Sequence, residues 1–448
     1  MKRNLLIFCG FLAVVAAGAV TARLAAHRPE WTTSSPAALD QFQKGLEARD
    51  KLYYDEARQH FAKALEIDAG FVLARYFLIS STEGESGDTK ADAAVAELLR
   101  QNASRLNDRE RFLLAFAAAT RGKNIGDAER ILKEYGVKHP DDPYVLERET
   151  LLATQRQEWP EAHRLLTRTI EVAPNRVVAY NQLGYLEMGQ GRFVEAQKMF
   201  ETYRYIAPDQ ANPHDSLGEL YILLGRYDEA KKELESALAI KPDFCASYEH
   251  LLRLALMQGR IDEAERALAR VKASAPCEAT VGKGMRCLAA VWPPLFAGDW
   301  EGVWKAQQAS CPKIEDDPLQ IWVLLHTGRR AEAEAFEKAA HDRLAKLAPT
   351  EPGRGYVEAF VAHIEGARLL FDGDPAKAAE RFRFADRLLS YRELPLGLLK
   401  LVNRFVLAQA LQASGARDDA TEVLAAARAV NADFVDRLAV MAVAPPAG

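Results

Sequence analysis

Cysteine is scarce in this chain: there are five in 448 residues, and no two are spaced C-x-x-C. A zinc ribbon or a thioredoxin-like dithiol therefore has no support. Positive charge is not in excess either, with a formal net charge of −5. That balance argues against a nucleic-acid-binding face and against a polybasic membrane patch. The motifs that carry common chemistry are missing as well: G-x-x-x-x-G-K-[ST], H-E-x-x-H and G-x-S-x-G do not occur. Gly282-Lys283-Gly284 is a lone G-x-G with no strand ahead of it and reads as a loop. His214-Asp215 and His341-Asp342 are adjacent pairs. Neighbours on a helix point about 100° apart, so neither pair makes a dyad by itself. No catalytic residue, cofactor or metal site is expected, and the chain is not read as an enzyme.

What is present is a repeat. Gly191-Arg192-Phe193-Val194-Glu195-Ala196 recurs as Gly225-Arg226-Tyr227-Asp228-Glu229-Ala230 and Gly259-Arg260-Ile261-Asp262-Glu263-Ala264, with the alanines 34 residues apart. The small position continues upstream at Ala128 and Ala162. Four residues after each comes Leu132, Leu166, Phe200, Leu234 or Leu268, and twelve after comes Pro140, Pro174, Pro208, Pro242 or Pro276. A small side chain lets two antiparallel helices approach closely, and apolar residues at i, i+3, i+4 and i+7 face the shared core. The Gly-Arg pair falls at the turn, where glycine tolerates left-handed backbone. Proline ends the second helix of each unit. A fixed period near 34 residues means stacked helical hairpins, each burying its apolar face on the next. The fold class is all-α, an α-solenoid or superhelix behind an N-terminal apolar segment.

This pattern resembles the tetratricopeptide repeat. Leu183-Gly184, Ala196, Phe200 and Pro208 match the family's positions, as do Leu217-Gly218, Tyr221, Ala230 and Pro242. Residues 109–276 hold five units in register. Residues 39–108 hold repeat-like units: Tyr54, Ala57, Phe61 and Ala64 match, and Ala94 lies 37 residues beyond Ala57, which predicts an insertion. Over 277–448 the register degrades into divergent helices that either continue the solenoid or form a separate helical domain. Gly298-Asp299, Gly328-Arg329, Gly373-Asp374 and Gly415 mark hairpin turns there. The central stretch also looks like the repeat regions of bacterial membrane-bound transcription regulators and Ser/Thr kinases. Their effector domains are missing here, so the resemblance implies a bacterial repeat protein without a signalling output.

Residues 1–22 read as a signal peptide or a transmembrane anchor. Met1-Lys2-Arg3-Asn4 is basic, and the 18 residues Leu5 to Ala22 carry no charge. Lys2 and Arg3 favour the amino terminus inside, which puts the body outside the cytoplasm either way. The expected location is the bacterial inner membrane with a periplasmic body, or the periplasm or medium if the signal is cleaved. Cys9 follows Phe8 where a lipoprotein signal wants a small residue, so lipidation is not expected. Residues 23–38 form a linker, its polar part over 29–38. Cys277, Cys287 and Cys311 cluster where the register breaks. They read either as free buried thiols or as a disulfide stapling that segment in an oxidising compartment. Trp292-Pro293-Pro294, Trp300 and Trp304 lie beside them and read as core filling at a bend, or as a ligand pocket.

The resemblance also implies a concave groove lined by first-helix positions. These are Tyr144, Glu147 and Leu151; Asn181, Tyr185 and Met188; Asp215, Glu219 and Ile222; and Glu249, Arg253 and Leu256. The family's carboxylate clamp uses Lys, Arg and Asn at such places, and here acids dominate. The expected partner is a protein offering a basic or amphipathic segment, held by Tyr144 and Tyr185 with charge matching from Asp215 and Glu219. The function expected is a non-catalytic envelope scaffold. The alternative is a regulatory subunit that binds a peptide or small ligand and signals to a membrane partner.

Overall fold

The computed structural model describes residues 30–81, 89–311, 317–349, 351 and 353–443. The apolar stretch 1–22, Cys9 and residues 82–88, in the interval between Ala57 and Ala94 where an insertion is expected, lie outside the described residues. Those residues are helical hairpins, with no strand among them. They group into two compact units that divide between Val145 and Leu146.

The first unit stacks the hairpins Pro36–Asp50/Tyr54–Ile67, Val72–Ser81/Thr89–Asn102 and Asp108–Arg121/Ile125–Gly136. Phe42 is fully buried and packs its ring 5.7, 4.7 and 5.6 Å from those of Phe61, Phe71 and Phe77. The polar linker expected over 29–38 is instead packed from Trp31 onward. Trp31 is buried against Phe42, and Thr32 gives its backbone N–H and hydroxyl to the buried Glu110 carboxylate. An indole beside an aromatic core gains more by burial than a tether gains by freedom.

The second unit continues with Trp159–Val172, Val177–Gly189/Phe193–Ile206, Ala211–Leu223/Tyr227–Ile240 and Cys245–Met257/Ile261–Ala273. The turn glycines Gly191, Gly225 and Gly259 take φ of 74°, 69° and 72°. The same ladder position, five before the small residue, is Leu52, Lys123 and Gln157 in the earlier units, and these too sit at positive φ (63°, 57° and 58°). The turn geometry is thus set by helix packing, and glycine only relieves its cost. Beyond residue 277 the hairpins go on within the same unit, and Gly298, Gly328, Gly373 and Gly415 hold positive φ at the turns. The divergent half falls in the same compact unit as the central repeats.

The cysteines pair as Cys245–Cys277 and Cys287–Cys311. The free-thiol reading fails, and Cys245, outside the cluster, supplies the missing partner. The first bridge ties the start of helix Cys245–Met257 to the irregular run that follows Ala273. The second ties helix Lys283–Phe296 to the end of helix Trp300–Ser310.

The last hairpin, Leu394–Ala413/Arg417–Arg437, turns back onto the concave face of the repeats. One core contains Met188, Leu217, Tyr221 and Ile222 together with Leu394, Leu398, Phe434 and Leu438. Helix Ala211–Leu223 shows the consequence: twelve of its thirteen residues are buried, all but His214. A repeat helix open on one face would be amphipathic, and one covered on both faces is buried all round.

Candidate binding site on the concave face

The groove residues of the central repeats face inward, and the structure engages them within the chain. Asp215 and Glu219 are 4% and 5% exposed. Asp215 Oδ1 accepts the Ser247 hydroxyl at 2.6 Å and His250 Nδ1–H at 3.1 Å. Glu219 Oε2 accepts the Tyr185 hydroxyl at 2.7 Å, and its Oε1 accepts the backbone N–H of Leu394 at 2.5 Å. Ser216 donates to Asn181 Oδ1 at 2.9 Å. Glu249 holds Arg253 at 2.6 Å, and Glu147 pairs with Arg176 at 2.7 Å. Met188, Ile222 and Leu256 are core residues. Tyr144 belongs to the first unit's core, 5.8 Å from Trp31. Leu151 stays 43% exposed.

The electrostatics follow from this burial. Burial pushes the His250 imidazole down, but the Asp215 carboxylate it bonds, with Glu219 and Glu249 nearby, outweighs it and raises the pKa to about 9. His250 is therefore an imidazolium at neutral pH. Burial pushes the Glu219 carboxyl above the usual carboxylate range, against the pull of His250. Burial, then the charge of Glu219, holds the Tyr185 phenol well above its ordinary value. Ser247 and His250 were not among the residues singled out in the sequence, because each follows a proline-marked unit start with no motif around it. Only the requirement that buried Asp215 have partners points to them.

Asn431 ties the last hairpin to the central repeats. Its Nδ2–H donates to the Ile222 carbonyl at 3.0 Å, and its Oδ1 accepts both the Tyr227 hydroxyl and the Phe434 N–H at 3.0 Å. It sits at a non-helical kink (φ −154°, ψ 93°) inside helix Arg417–Arg437. One side chain thus restarts a broken helix and satisfies a repeat carbonyl.

Two openings among the described residues adjoin these helices. The first is a cavity of about 340 Å³ beside the disulfide Cys287–Cys311, lined by Trp292, Phe296, Trp322 and Leu398, with Arg253 and Asp317 as its charged groups. Burial raises the Asp317 carboxyl. Trp300, of the same aromatic cluster, stacks on His326 at 4.0 Å, and Trp304 lies under the Arg329 guanidinium at 4.5 Å. The second is a cleft of about 440 Å³ lined by residues 154–159, 185–190, 353–356 and 387–396. Elsewhere, Glu337, His341 and Glu365 bring ligand atoms within 4.8 Å of one another. Arg368 and Arg381 already pair with the two glutamates, which opposes a cation there.

Two family models, both described as tetratricopeptide repeat, match residues 176–243 and 221–281. No curated protein matches the chain in sequence. Among solved structures, the chain is similar to Cut9 in the APC/C Cut9–Hcn1 complex (14% identity, TM-score 0.48, covering 94% of this chain and 82% of that one). It is also similar to a tetratricopeptide repeat protein from Parabacteroides merdae (15%, TM-score 0.34, 68% and 99%) and to PilW, a type IV pilus biogenesis factor (13%, TM-score 0.33, 55% and 100%).

Proposed function

We propose that the chain, which is a tetratricopeptide-repeat protein, serves as a non-catalytic scaffold outside the bacterial cytoplasm and grips a partner protein on its concave side. Stacked repeats bind other chains through extended concave surfaces, and the observation that carries the reading is the cleft left open there. Its walls come from central repeat helices on one side and from residues 353–356 and 387–396 on the other. A basic amino end followed by an uncharged run, and two cysteine pairs joined as disulfides, support the location. Since Asp215 and Glu219 are engaged inside the chain, the open cleft replaces them as the contact surface.

The test is site-specific photo-crosslinking in native cells. A crosslinker replaces Gln190, which lines the cleft, or Tyr205, which is 87% exposed on the outer helix of the same hairpin. One discrete partner adduct from position 190 and none from 205 is the expected result. Equal adducts from both, or none from either, would overturn the reading. The alternative, a regulatory subunit for a small ligand, has the 340 Å³ aromatic cavity as its support. Quenching of tryptophan emission by a bound apolar compound, abolished in Trp292→Ala, would favour it.

A further inference from the structure

The open cleft has a polarity opposite to that of the groove positions read from the repeats. Its two walls are joined at one edge, where the Tyr391 N–H donates to the Gly189 carbonyl at 3.3 Å. The main cleft of about 440 Å³ adjoins a recess of about 170 Å³ that shares Thr154, Leu186 and Arg392. Clefts of this size take ligands or short peptide stretches. Nearby repeat carboxylates are already matched: Glu147 by Arg176, and Glu187 by Arg192 and His163. Arg387 and Arg392 are different. Both are exposed and line the cleft, and among the described residues neither has a carboxylate partner. Arg387 has only the Phe384 ring, 5.5 Å away. Glu393 is the lone acid lining the main cleft. Between the charges lie the apolar surfaces of Trp159, Leu186 and Leu396.

A guanidinium with free donors matches a carboxylate in a two-point fork, and does so best beside apolar walls that limit hydration. We propose that this cleft binds an extended acidic segment of the partner, its carboxylates on Arg387 and Arg392 and its apolar side chains on Trp159 and Leu186. The inference rests on the scaffold reading and deepens it. The binding charge comes from the end of helix Pro375–Leu388 and the link that follows it, not from the acidic positions of the central repeats.

Fluorescence anisotropy tests this with the full chain and three labelled peptides of equal length, in which leucine alternates with glutamate, lysine or serine. The glutamate peptide is expected to bind most tightly, to weaken as salt rises, and to lose about tenfold in affinity for each of Arg387→Glu and Arg392→Glu. Arg387→Gln and Arg392→Gln, checked for unchanged helicity, give the same order with a smaller loss. Preference for the lysine or serine peptide, or glutamate-peptide binding that ignores both arginines, overturns the acidic-segment proposal. So does failure of all three peptides to bind. The crosslinking result at Gln190 stands or falls separately, so loss of the polarity and loss of the scaffold are distinguishable.

Discussion

Replacing His250 by glutamine removes the cation paired with Asp215 while keeping a hydrogen-bond donor there. In the folded protein the His250 pKa is raised from its ordinary 6.5 to about 9. The folded state therefore binds the extra proton, and the stability it brings is fully present below about pH 6.5, falls between 6.5 and 9, and is gone above. The difference corresponds to about 3 kcal/mol. The groups facing His250 are Asp215, Glu219 and Glu249, with Tyr185 beyond them. All are kept in the variant, but Glu219 loses the pull of His250 and moves further up, so the two profiles are compared between about pH 6.5 and 9. Urea unfolding of both proteins at a series of pH values, followed by helical circular dichroism, measures the effect. Wild type should lose stability toward alkaline pH, and His250→Gln should show a flatter profile that meets it above about pH 9. Parallel profiles, or a wild type that gains stability as pH rises through that window, would refute the reasoning.

Three further outcomes follow from packing and covalent structure. Gln157→Gly should stabilise the chain by about 1 kcal/mol in thermal melts, because Gln157 holds φ of 58° where later repeats have glycine; a loss would contradict the shared turn geometry. Gly184→Ala should cost about 1–3 kcal/mol in the same melts, since an added Cβ would overlap the Phe200 ring. Reducing the bridges, whose cysteines are 32 and 24 residues apart, should cost about 3–4 kcal/mol each in the chain-entropy account. Denaturation of Cys245→Ser/Cys277→Ser and Cys287→Ser/Cys311→Ser checks this, and thiol trapping from intact cells should find all four oxidised.

The solenoid was legible because its cause is local. A small residue, a turn glycine and a proline recur wherever a hairpin must close, and even the degraded turns at Gly298, Gly328, Gly373 and Gly415 kept that signal. The bridging partner of Cys277 was not legible, because Cys245 lies in a regular repeat and nothing local marks it. The groove was legible as a set of inward positions but not as a surface. What covers it comes from 175 residues further along the chain, where Leu394 gives its N–H to Glu219, and no periodicity encodes that meeting. Trp31 shows the same limit on a smaller scale. It sits in a polar stretch, and its burial depends on Phe42 and Tyr144.

The return of the C-terminal segment onto the central repeats engages Glu219 and helps to build the cleft. Amide hydrogen exchange over residues 391–398, in wild type and Glu219→Ala, tests it most directly. The account predicts strong protection of the Leu394 amide in wild type and much faster exchange in the variant, because the Glu219 carboxylate is its acceptor. Free-peptide exchange rates in wild type, or protection indifferent to Glu219, would contradict it.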